Sequence, residues 1–175
     1  HAHGGFTIGS EMSGGVRNVR VDNCTFMGTD VGLRFKSTRG RGGVVEKIYI
    51  SNVRMTDITG AAINFNMYYG GKSPLEENGN VESNSPPVNE GTPQFRDIHI
   101  SNVICRGAGQ AIVLEGLPEM PIRDVTLKNV SITAQTGVQV TDADGIKFEN
   151  VRVENKSGPK ITQIRVKNSS LDLAQ

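Results

Sequence analysis

The sequence predicts an all-β, right-handed parallel β-helix of about six coils. Three observations carry this reading. An apolar–polar alternating run ending in Asn recurs six times along the 175 residues. A second short alternating run follows most of these Asn residues. No stretch of ten or more residues shows the apolar spacing of an amphipathic helix. Short strands joined by turns, repeated without intervening helices, bury their apolar faces by winding into a solenoid whose coils stack on one another. A parallel crossover of this kind is right-handed in nearly all folds.

The elements follow in chain order. Val19-Arg20-Val21-Asp22-Asn23-Cys24 is the first copy, echoed by Ile48-Tyr49-Ile50-Ser51-Asn52-Val53 and Ile98-His99-Ile100-Ser101-Asn102-Val103. Val125-Thr126-Leu127-Lys128-Asn129-Val130, Ile146-Lys147-Phe148-Glu149-Asn150-Val151 and Ile164-Arg165-Val166-Lys167-Asn168-Ser169 complete the series. The Asn-to-Asn steps are 29, 50, 27, 21 and 18 residues, so the long step contains an insertion. Asn suits these corners because it adopts the left-handed backbone conformation more readily than most residues. The second strands are Gly32-Leu33-Arg34-Phe35-Lys36, Ala62-Ile63-Asn64-Phe65-Asn66, Ala111-Ile112-Val113-Leu114-Glu115 and Gly137-Val138-Gln139-Val140-Thr141. A β-sandwich is the rival, but the Asn-Gly and Asp-Gly hairpin turns it needs are scarce.

Residues 1–175 therefore read as a single β-helical segment, with residues 70–94 as a long loop insertion rich in Glu and Pro that cannot bury a core. That loop reads as either a surface excursion or a rim closing one end of a groove. Nineteen Lys and Arg against 18 Asp and Glu leave a formal charge of +1, which excludes nucleic-acid binding through bulk charge. The apolar runs are too short to cross a membrane. Cys24 and Cys105 lack any zinc or redox spacing and read as two buried free thiols. The start at His1-Ala2-His3 has neither the basic nor the apolar part of a secretory signal and no Met, and reads as a cut from something longer.

Strand alternation turns Leu33 and Phe35 inward and Arg34 and Lys36 outward. Matching Phe6 and Ile8 to Leu33 and Phe35 puts Thr7 over Arg34 and Gly9 over Lys36. It also sets His3 at the offset that Asp30 occupies one coil on. One outward column then gathers an imidazole and two cations, which reads as either a solvated strand face or a site for a carboxylated ligand. The outward column continues through Asn64, Val113 and Gln139, and beside them Asn66, Glu115 and Thr141. Arg39 and Arg41 in the next turn either extend the patch or face solvent.

His3-Gly4-Gly5-Phe6-Thr7-Ile8-Gly9-Ser10-Glu11 resembles the His-Gly-x-x-x-Gly-Ser motif of glycoside hydrolase family 28, the polygalacturonases, and Arg34-Phe35-Lys36 resembles its Arg-x-Lys motif. The resemblance runs along the chain as the C-terminal part of such an enzyme, with a pectin-lyase-like solenoid. It implies inverting hydrolysis of α-1,4-linked galacturonan without metal or other cofactor, in a secreted or periplasmic parent. It further implies that His3 tunes the catalytic carboxylates, that Arg34 and Lys36 bind a galacturonate carboxylate beside the scissile bond, and that Tyr69 contacts substrate. The implied partners are an acidic polysaccharide and the N-terminal remainder of the same β-helix.

Family members carry their catalytic aspartates in Asn-Thr-Asp-Gly-x-Asp and Asp-Asp motifs, and this chain contains neither. Inversion needs one carboxyl to protonate the leaving oxygen and another to activate water, so the isolated chain is expected to be inactive. The alternatives are a non-catalytic β-helical module binding acidic polysaccharide and a related pectic hydrolase such as a rhamnogalacturonan hydrolase. A β-helical lyase would need a calcium-binding carboxylate cluster, which no outward column supplies.

Overall fold

The computed structural model describes residues 2–70 and 85–175. Eight strands form one curled sheet in which every pairing is parallel: β1 (Phe6–Ile8), β2 (Val16–Met27), β3 (Leu33–Lys36), β4 (Val44–Asn66), β5 (Gln94–Glu115), β6 (Ile122–Asp144), β7 (Lys147–Asn155) and β8 (Ile161–Lys167). The chain is a right-handed parallel β-helix. The two strands predicted for each coil run together as one bent ribbon in β4, β5 and β6.

Bends inside these ribbons fall where the sequence places Asn. Asn23, Asn52, Asn102, Asn129, Asn150 and Asn168 all have positive φ, between 47° and 56°. Asp57, Asp97, Asp124 and Asp142 adopt the same left-handed region, as do Asn18, Lys47 and Arg165. The corner side chains also bond along the solenoid axis. Asn52 Nδ2 donates to Asp22 Oδ1 at 2.8 Å, Asn102 to Asn52 Oδ1 at 3.1 Å, Asn129 to Asn102 at 3.2 Å and Asn150 to Asn129 at 3.0 Å. Bonds from Ser51 and then Asn52 hold the Asp22 carboxyl below its usual range.

Register is set by the inward apolar residues. Val19, Ile48, Ile98 and Val125 align in one column, and Cys24, Val53, Val103, Val130 and Val151 in another. Ile48, Ile98 and Val125 are fully buried, whereas Val19 and Cys24 are half-buried because, among the described residues, β2 is covered on one side only, by β4. Of the two expected buried thiols only Cys105 is enclosed; burial, and then the Asp57 charge, push it up to about 11. The core's aromatic centre is Phe35, stacked on Phe65 with centroids 4.2 Å apart and closed edge-on by Phe95.

The last sequence repeat does not stack as the pattern suggests. Ile164 and Val166 of β8 pair with Thr141 and Ala143 of β6, under the second-strand column. Among the described residues, the first-strand column continues below β7 as bridges from Lys147 to Ser170 and from Val151 to Leu173. The final coil is short, so its alternation lands on the other side of the solenoid. Both columns nevertheless reach six rungs: β1, β3, β4, β5, β6 and β8 in one, β2, β4, β5, β6, β7 and the 170–173 bridges in the other.

The predicted insertion at 70–94 lies partly outside the described residues, at 71–84. Its end is built into the fold, since β5 starts at Gln94 and the Gly91 carbonyl accepts from Gly40 and Gly42 at 2.8 and 2.9 Å.

Candidate functional site

The site forms where β1 lies on β3. Phe6 pairs with Leu33, Thr7 with Arg34 and Ile8 with Phe35, the register expected from sequence. Leu33 and Phe35 are fully buried, which turns Arg34 and Lys36 onto the outer face of a four-residue strand. Gly9 lies against the Lys36 backbone with φ of 93°, and a Cβ there would overlap the Lys36 carbonyl oxygen. Gly9→Ala is therefore expected to cost about 1–3 kcal/mol of stability and to displace Lys36. Urea unfolding checks this, and an unchanged midpoint would contradict it.

Tyr69 reaches back from the following rung. Its amide donates to the Ser37 carbonyl at 2.9 Å, and its ring, 39% exposed, faces both cations. Lys36 Nζ stands 4.3 Å from the ring centroid and Arg34 Cζ 5.6 Å. The negative π-face lets two like charges sit close on one column, and each such contact at an exposed site contributes about 0.5–1 kcal/mol.

His3 joins from the rim. Arg34 Nη1 donates to the His3 carbonyl oxygen at 3.1 Å, and His3 Nδ1 is hydrogen-bonded to Asp30 Oδ2 at 2.6 Å. The Asp30 amide donates to the Ala2 carbonyl at 2.9 Å, so the segment carrying His3 rests on the Asp30 rung. The imidazole is 93% exposed and free to meet a ligand. All four residues singled out from sequence, His3, Arg34, Lys36 and Tyr69, thus come together.

Asp30 joins the site as the hydrogen-bond partner of His3, although it was not among the residues assigned a role from sequence. The signal that finds it is its offset, three residues before Leu33, as His3 stands before Phe6. The two turn arginines do not extend the patch. Arg39 is spent on Glu119, 80 residues away, and Arg41 lies 3.7 Å from Glu11.

Below Lys36 the outward column changes character. Asn64 and Asn66 are half-buried, but Val113 is 7%, Glu115 8% and Thr141 1% exposed. These last three lie on the outward column as the alternation predicts but are covered, so the open polar strip ends at the β4 rung. Glu115 Oε1 accepts from Gln139 Nε2 at 3.0 Å, which satisfies part of that enclosed carboxylate.

At the rim beyond Lys36, burial pushes the Glu119 carboxyl up, but hydrogen bonds from Arg39 and a backbone amide outweigh it and leave it below its usual value. Tyr68 is pushed up to about 12 by burial first and by the Asp142 charge second. A folded-state value above the ordinary 10 means that keeping the phenol protonated stabilises the fold fully below pH 10, and that this contribution is lost as pH rises through about 12. An ultraviolet tyrosinate titration is expected to lose its step near pH 12 in Tyr68→Phe. Persistence of that step would contradict the assignment.

A family model for glycosyl hydrolases family 28 matches residues 2–144. The chain belongs to that family. The family 28 chain is 32% identical over 136 residues to an endo-polygalacturonase of Pectobacterium carotovorum subsp. carotovorum, covering 78% of this chain and 29% of the relative. It is 31% identical over 140 residues to an endo-polygalacturonase of Pectobacterium parmentieri, covering 80% and 30%. Among solved structures, it superposes on a hyperthermoactive exopolygalacturonase of Thermotoga maritima with a TM-score of 0.73 at 28% identity, over 90% of this chain and 32% of that one. A family 28 exopolygalacturonase of Yersinia enterocolitica shares the fold with a TM-score of 0.69 at 21% identity, over 99% and 29%. The chain thus spans less than a third of the length of each of these relatives.

Proposed function

We propose that the chain is the C-terminal portion of a polygalacturonase-like hydrolase that cleaves α-1,4-galacturonosyl linkages in pectin with inversion. In this reading Arg34 and Lys36 hold a galacturonate carboxylate beside the scissile bond, Tyr69 borders the sugar, and His3 adjusts the ionisation of the catalytic carboxylates. One observation carries it: two outward cations converge on one exposed aromatic ring, 4.3 and 5.6 Å from its centroid, with an exposed imidazole tethered beside them. Arg offers a planar fork for a carboxylate and Lys a compact charge, while the ring faces the sugar's apolar side. Polymeric pectin lies outside the cell, so the parent acts there or in the periplasm.

The partner that completes the enzyme is a further length of the same β-helix seated on β2. Val21 and Phe26 on that edge are half-buried, while their counterparts Ile50 and Met55 one rung on are 1% exposed. A covering coil would remove this apolar area from water. The catalytic carboxylates belong to that missing length, so the isolated chain binds substrate without hydrolysing it. Sustained reducing-sugar release from polygalacturonate by the chain alone would contradict this.

Titration of trigalacturonate against the wild-type chain and an Arg34→Ala/Lys36→Ala variant tests the site. Saturable binding in the wild type and none in the variant is expected. Equal affinity would remove the assignment.

A further inference from the structure

Next to the saccharide site lies a partly buried polar cluster for which binding has no direct use. Tyr68 immediately precedes Tyr69 and is 7% exposed, and its hydroxyl has no hydrogen-bond partner among the described residues. The Arg39 guanidinium lies 5.5 Å from its ring centroid. Arg39 in turn forks onto Glu119, Nε to Oε1 at 2.5 Å and Nη2 to Oε2 at 2.9 Å, and the Glu119 side chain is only 4% exposed. The cluster spans three rungs at one rim: Arg39 follows β3, Tyr68 follows β4 and Glu119 follows β5.

The geometry points to Arg39 and Glu119 as positioning residues of the saccharide site, clamping Tyr68 so that the ring of Tyr69 stays over Arg34 and Lys36. The inference rests on the reading of that site as one for a galacturonate carboxylate. Tyr69 lies outside the hydrophobic core cluster, whereas Tyr68 belongs to it. The exposed ring therefore takes its place from the backbone it springs from. That backbone is tied at two points, by the Tyr68 amide to Asn66 Oδ1 at 2.7 Å and by the Tyr69 amide to the Ser37 carbonyl at 2.9 Å. Between these ties the Tyr68 side chain is the remaining freedom, and the cation over its face holds it. The pair is fully charge-assisted and its carboxylate is enclosed, with Arg39 38% and Glu119 4% exposed, and a bidentate contact of this kind is directional. Losing Arg39 alone would leave the enclosed Glu119 carboxylate with no counterpart, so the rim would rearrange.

The test reads Tyr69 directly, without ligand. With Lys36 Nζ 4.3 Å from the ring centroid, the ring current shifts the Lys36 ε-methylene resonance upfield, and Tyr69→Leu marks the unshifted position. In Arg39→Met/Glu119→Gln that upfield displacement is expected to fall by half or more. The trigalacturonate Kd is expected to rise about fivefold or more, as for coupled contacts. Tyr69→Leu should then weaken binding less on this background than in the wild type. A lower melting temperature with the Lys36 resonance and Kd both at wild-type values would overturn the proposal, because a merely structural pair behaves that way. If the double variant lacks the wild-type circular dichroism spectrum, Glu119→Gln, which keeps the side-chain shape, is judged by the same two readouts. A wild-type chain that binds no trigalacturonate would overturn the site's function. The Lys36 resonance would still decide the clamp.

Discussion

Phe35→Ala is expected to lower the unfolding free energy by about 3–5 kcal/mol, the range for emptying a buried aromatic site. Phe35 is completely buried, with the Phe65 ring 4.2 Å away on one face and the edges of Phe6 and Phe95 at 6.2 and 6.3 Å. Each neighbour comes from a different strand, β1, β4 or β5, so one truncation loosens contacts across several rungs. The surrounding backbone is locked into parallel ladders on both sides and cannot collapse into the space left behind. Phe35 also stands between Arg34 and Lys36 in a strand of four residues, and the loss reaches the site as well as the core. Urea unfolding checks this: the midpoint should fall with an unchanged slope. A loss under about 1 kcal/mol would mean that the aromatic stack is not the centre of the core.

The second large effect is at Arg34. Arg34→Ala is expected to weaken trigalacturonate binding by about 10- to 150-fold, the range for losing hydrogen bonds to a charged group. Arg34 has two tasks at once. One nitrogen, Nη1, donates to the His3 carbonyl at 3.1 Å, and the remaining N–H groups are left for ligand. Alanine forfeits both the carboxylate contact and the tether that brings His3 to the site. Lysine keeps the charge but cannot make both contacts in a plane, so Arg34→Lys should fall between wild type and alanine. Calorimetric titration separates the three. Arg34→Lys binding as tightly as wild type would show that charge alone is used there.

Much of the fold was legible because one left-handed corner recurs as Asn from coil to coil. A left-handed bend favours Asn, so six Asn residues in a row of alternating runs marked the coils, and all six carry positive φ. The site register was legible for a related reason. Phe6, Ile8, Leu33 and Phe35 must all face inward, which leaves a single alignment and sets Arg34 and Lys36 outward. The same logic misled at Ile164 and Val166. Their alternation matched the first-strand pattern, but a shortened last coil carried them under Thr141 and Ala143 instead. The clamp was illegible altogether, since Arg39 and Glu119 are 80 residues apart and sit in turns without periodicity. Periodicity also tells which way a side chain points and not what lies over it, so Val113 and Glu115 were placed on the outward column and are nevertheless buried. The role of Tyr69 came from resemblance rather than pattern, and the structure supplies what the pattern lacked: a ring facing Lys36 at 4.3 Å.

The central claim is that this column recognises a sugar through its carboxylate. Calorimetric titration of the wild-type chain with trigalacturonate and, in parallel, with the neutral α-1,4-linked galactose trimer tests it most directly. The two ligands differ only at the sixth carbon of each sugar, a hydroxymethyl group in one and in the other a carboxylate, the kind of group that Arg34 and Lys36 would hold. Saturable binding of the acidic trimer that weakens with added salt, with no measurable binding of the neutral one, is the predicted result. Equal affinity for both trimers, or binding of neither, would contradict it.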